Sequence, residues 1–124
     1  MINLISLRDL VLYNAGPCVN FMAVRYLTSK MKDVTHLPAL GPSPGLLKYW
    51  KMSSQSAADW EVYTEEFLRE MESASAQTAL KTVEELDKAG LTVNLMCYCT
   101  DSTHCHRSLL ADILQERGVE VNLK

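Results

Sequence analysis

The sequence predicts an α/β fold: a single domain over residues 1–124 whose mostly parallel sheet of about four to five strands is flanked by helices in a Rossmann-like three-layer arrangement. Three observations carry this expectation. Leu91–Leu123 reads as strand, loop, helix and strand, the unit whose two strands lie parallel with a right-handed crossover. Two amphipathic helical patterns precede it. The chain, at 124 residues with 48% apolar and 22% charged side chains, is also large enough to bury a core without disulfide or metal support.

Taken in order, Asn3–Ser6 and Val19–Tyr26 have the apolar, partly β-branched content of strands, and Asn14–Cys18 supplies turn chemistry between them. His36–Gly45 holds three of the four prolines and two glycines, which forbid a continuous ladder or helix, so it is a shaped loop. Ser43 then suits a helix cap with Pro44 at the first helical position, leading through Leu47 and Trp50. Ser56 and Asp59 form a capping-box start, after which Trp60, Tyr63, Phe67 and Met71 share one face; Glu61, Glu65, Glu66 and Glu70 fall on the side expected to be solvated. A further helix begins near Ser75, carries Ala76, Leu80, Val83 and Leu86 inward, and stops at Gly90. Leu91–Tyr98 is the next strand, Ser108–Arg117 a helix with Leu109, Leu110, Ile113 and Leu114 inward, and Val119–Leu123 a last strand after Gly118.

Twelve basic against fifteen acidic residues give a net charge of −3, which supplies no overall attraction to nucleic acid or to an anionic membrane. Arg25, Lys30 and Lys32 make a local basic stretch, either a solvated edge or part of an anion site. The segment MINLISLRDL lacks the basic start, apolar run and cleavage site of a signal peptide, and no stretch is long enough to span a bilayer. Four cysteines in such a chain are not a disulfide framework, so reduced thiols and a cytoplasmic location are expected.

Between Cys97 and Arg107 the chain reads CYCTDSTHCHR, which gathers three of the four cysteines, two of the three histidines and an arginine where a strand feeds a helix. In a parallel sheet that is the place for a site, because the helix N-terminus offers unpaired N–H groups and a partial positive charge. Cys105, beside His104, His106 and Arg107, is expected to ionise below the free thiol value of about 8.5, as a nucleophile or redox thiol. Arg107 suits bidentate binding of a carboxylate or phosphate. The spacing is not the Cys-x5-Arg loop of thiol phosphatases, since Thr103 and Cys105 stand six positions after Cys97 and Cys99. Each residue also has a structural reading: Cys97 as core filler, Cys105 as a packed thiol, Arg107 as a bridge to loop carbonyls. Zinc held by Cys97, Cys99 and Cys105 with His104 or His106 is an alternative whose residue types suit the ion although the spacing is not the usual one. Trp50, Trp60 and Tyr63 read as packing residues.

Four segments carry a family likeness: Val24–Leu27, the loop and helix LPALGPSPGLLKYW, DWEVYTEEFLREM, and LMCYCTDSTHCHRSLLADILQERGVEV. On these the chain resembles the domain of unknown function family 488 (DUF488), small proteins similar to compact α/β folds with a parallel sheet and no established biochemical role. Position by position, the resemblance points to Arg25, Cys97, Cys105, His106 and Arg107, with Pro42 and Ser43. Where many members carry a glutamate two residues after the strand-end cysteine, this chain has Cys99.

The functional expectation is a small anion-binding protein or thiol-dependent enzyme acting at residues 97–107, without a cofactor. Cys105 and His106 are the catalytic candidates, and Arg25, Arg107, Ser43 and Cys97 the ligand-binding ones. The alternatives are a non-catalytic module for protein or nucleic acid, and a zinc-stabilised domain.

Overall fold

The computed structural model describes residues 1–14 and 16–124; the turn expected at Asn14–Cys18 includes Ala15, which lies outside the described residues. The elements are β1 (Ile2–Ser6), α1 (Leu10–Tyr13), β2 (Cys18–Met22), β3 (Thr35–His36), α2 (Pro44–Met52), α3 (Ala57–Glu70), α4 (Ala74–Lys88), β4 (Thr92–Cys97), α5 (His106–Glu116) and β5 (Val121–Leu123). The strands form one sheet in the order β3-β2-β4-β1-β5, and every pair in it is parallel. This is the α/β parallel-sheet fold that the strand, loop, helix and strand pattern predicts.

Alternation along the strands divides the core in two. Ile2, Leu4, Phe21, Ala23, Val93 and Leu95 face the long helices, where they pack with Leu46, Tyr63, Phe67, Leu80, Val83, Leu110 and Leu114. Ile5, Met22 and Met96 face the other way, under Leu7, Leu10 and Tyr13 and under Leu27, Met31 and Val34 of the connection after β2. The layers are therefore unequal: α2–α5 cover one face, and α1 with the 25–34 connection covers the other. Burial on both faces is what the near-continuous apolar strands require.

Local signals that need only near neighbours agree with the structure. Ser43 caps α2 by accepting from Leu46 N–H with Pro44 in the first turn, and Ser56 with Asp59 closes a full capping box at α3. Gly90 and Gly118 end α4 and α5 at φ +88° and +83°. Boundaries move where pairing decides. β2 ends at Met22 rather than Tyr26, β3 and α1 have no counterpart in the expected elements, α4 starts at Ala74 behind a Ser73 cap, and α5 starts two residues early, at His106. β4 and β5 are parallel as expected, with β1 lying between them. Among the described residues no helix is long and apolar enough to cross a membrane.

Candidate thiol site at the carboxyl ends of the strands

Since all strands run the same way, their carboxyl ends share one edge, and β4 lies in the middle of it between β2 and β1. β4 stops at Cys97, the loop carries Cys99 into solvent, and Cys105 is the N-cap of α5 in an extended conformation (φ −132°, ψ 142°). The loop is held at two points. The Tyr98 hydroxyl accepts from Thr28 N–H at 3.0 Å, and Asp101 accepts from Thr103 N–H at 2.9 Å. Although Cys99 is exposed, its sulfur stays close to those of Cys97 and Cys105. The result is a cluster: Cys97 Sγ and Cys105 Sγ are 3.1 Å apart, and all three sulfurs lie within 4.8 Å of one another.

His106, in the first turn of α5, is 6% exposed and lies 5.7 Å, ring to ring, from Phe67. Its Nε2 is 2.5 Å from the carbonyl oxygen of Ala23. A carbonyl only accepts, so Nε2 carries the hydrogen and the neutral ring presents a bare Nδ1, 3.9 Å from Cys105 Sγ. Burial pushes the His106 pKa down, which keeps the ring in that neutral form.

The three thiols titrate as a group. Hydrogen bonds from Cys105 and then Cys97 hold Cys99 far below the ordinary thiol range, with help from the charge of Arg107. Cys97 is pushed far up by its hydrogen bonds with Cys105 and Cys99 and by burial. Cys105 is lowered by its bond with Cys97 but raised on balance, to about 11, by bonding with Cys99 and by burial. The thiol made acidic is thus Cys99, not Cys105 as the helix N-terminus alone suggests. Sequence spacing carries no signal for this, because it arises from sulfur–sulfur contacts.

A pocket of about 350 Å³ opens over the cluster, lined by Cys97, Cys99, Cys105, His106, Arg25, Lys51, Trp50 and His104 among others. Arg25 is oriented by donating from Nε to the Pro42 carbonyl at 3.1 Å, which leaves its two terminal nitrogens for other partners. Trp50 and Trp60 are half-buried against the core, as their spacing predicts, and His104 stacks on Trp60 at 5.0 Å with its edge towards Trp50 at 5.8 Å. Lys51 and His104 complete the lining, and neither stands out in the sequence as an anion ligand.

Two expected ligand residues are placed elsewhere. Ser43 is outside the pocket, where its N–H and hydroxyl both donate to Glu70, so Glu70 is a second cap on α2 rather than a merely solvated charge. Arg107 does not line the pocket either. Its side chain is fully buried, and none of its three guanidinium nitrogens has a hydrogen-bond partner among the described residues.

The fold and site together define a class: a parallel α/β domain with a compact thiol cluster at the ends of its central strands. The chain belongs to the DUF488 family, since the family model described as the Active DUF488-N3 subclade (DUF488-N3a) matches residues 6–118. No curated protein and no solved structure matches it.

Proposed function

We propose that the protein binds a small phosphate- or carboxylate-bearing ligand in this pocket and acts on it with the Cys99 thiolate. The observation that carries the reading is the convergence of three sulfurs beneath a pocket rimmed by two cations, Arg25 and Lys51, at the N-terminus of α5. The two cations hold the anion. Cys97 and Cys105 act as hydrogen-bond donors to the thiolate, and the bare Nδ1 of His106 stands beside Cys105 Sγ. The free thiols suit a reducing compartment, and we place the protein in the cytoplasm.

Alkylation by iodoacetamide, followed across pH on chelator-treated protein, tests this. Cys99 is expected to react with an apparent pKa at least about one unit below the free value near 8.5, to be protected by inorganic phosphate, and to lose that protection in Arg25→Ala. Reaction near the free value, indifferent to phosphate, would end the reading.

The sulfur convergence favours a second reading. Three sulfurs this close can hold a metal ion, and thiolates with imidazole suit zinc. Metal analysis of protein purified without chelator tests it: stoichiometric zinc supports the reading, and its absence removes it.

A further inference from the structure

We infer that Cys97, Cys99, Cys105 and Nδ1 of His106 together form a closed tetrahedral site for a divalent d10 ion of the zinc type, with Arg107 as its built-in counter-charge. This rests on the metal reading above and names its ligand set. Three independent observations support it.

The first is spacing. Zinc–sulfur bonds of about 2.3 Å place the sulfurs of a tetrahedral site roughly 3.8 Å apart. The three sulfurs already lie within 4.8 Å of one another, with the closest pair at 3.1 Å, so the adjustment is under an ångström per side chain.

The second is the histidine. Metal-bound imidazoles characteristically donate their other N–H to a carbonyl or carboxylate, which fixes both tautomer and ring plane. His106 has this arrangement before any ion arrives: Nε2–H is spent on Ala23, and the bare Nδ1 lies 3.9 Å from Cys105 Sγ, outside the 4.8 Å group of the three sulfurs, so the ring must move inward to complete the site. His104, the other histidine that the sequence offers as fourth ligand, is exposed, and its ring is engaged by Trp60 and Trp50.

The third is charge. Three thiolates, a neutral imidazole and a dication sum to one negative charge. A fully buried guanidinium without a partner is costly unless an anion lies nearby. Arg107 follows His106 directly in α5, and its field acts on Cys99 and His106. Binding releases the protons of whichever of the three cysteines are still thiols, so affinity rises with pH.

Cobalt(II) titration of the chelator-treated full chain, read by thiolate-to-cobalt charge-transfer absorption, tests the ligand set. One cobalt per chain is expected, displaced by zinc, with affinity at least tenfold weaker in His106→Gln and unchanged in His104→Gln. If His106→Gln does not fold, cadmium-113 coupling to 15N-labelled histidine decides on the wild-type chain, and a coupling to Nδ1 of His106 is the expected result. Undiminished binding in His106→Gln, or coupling to His104, overturns this ligand set and leaves a cysteine-held metal standing. Absence of stoichiometric binding overturns both.

Discussion

Arg107 is placed where an arginine is hard to keep. Its motif position marks it as an anion ligand, yet the guanidinium is fully buried with no hydrogen-bond partner among the described residues. An isolated buried charge is strongly destabilising, so the residue is tolerable only if the thiol cluster beside it is anionic, as thiolate or as a thiolate–metal centre. Arg107→Met keeps the volume and removes the charge. In chelator-treated protein it is expected to raise stability in urea unfolding at a pH low enough for the cysteines to be thiols, where it removes a lone buried charge, while weakening cobalt affinity. A less stable variant with unchanged affinity would reduce Arg107 to a packing residue. The cluster itself was legible, because cysteine, histidine and arginine carry their chemistry in their identity. Which thiol ionises, and where Arg107 points, depends on contacts that spacing does not encode.

Among the elements, the segment between β3 and α2 shows how a loop positions a site. A side-chain carbon on Gly41 would lie 2.4 Å from the backbone nitrogen of Arg25 and 2.6 Å from the carbonyl carbon of Val24. The α2 entry therefore packs backbone to backbone against the exit of β2, and the Pro42 carbonyl comes within reach of Arg25 Nε. Gly41→Ala must separate these segments. The expected cost is about 1–3 kcal/mol of stability, typical of overpacking, together with loss of phosphate protection at Cys99, because Arg25 shifts; wild-type protection in a destabilised variant would uncouple the loop from the pocket. The proline-rich composition announced a shaped loop but not which glycine makes the close approach. The same division runs through the other elements. Ser43, Ser56 and Gly90 act on residues a few positions away and can be read directly, whereas the end of β2 is set by where pairing with β4 stops: apolar content continues past Met22 while the ladder does not.

Across the whole sheet, a row of asparagines ties four strands together on the thinly covered face. Asn122 donates to Asn3 at 3.0 Å, Asn3 to Asn94 at 2.9 Å, Asn94 to Asn20 at 2.8 Å, and Asn20 to Asn14 at 3.2 Å beyond the sheet. The row exists because register aligns it: Asn94 pairs with both Asn3 and Asn20, and Asn3 with Asn122. Each asparagine alone is a poor strand residue, so only the assembled sheet explains them. A one-residue slip of any strand would turn its asparagine into the apolar core and leave its neighbours' amides unpaired, which makes the row a specification of register and of the alignment of strand ends that assembles the cysteine cluster. Position in the row should therefore set the cost of breaking it. Asn94→Ala strands the Asn3 donor and the Asn20 acceptor, both buried, and is expected to cost about 2–6 kcal/mol, at roughly 1–3 per orphaned group. Asn122→Ala, at the partly exposed edge, orphans one acceptor, Asn3 Oδ1, and about 1–3 kcal/mol is expected. Urea unfolding midpoints compare the two, and equal losses would show that the row contributes only its separate bonds.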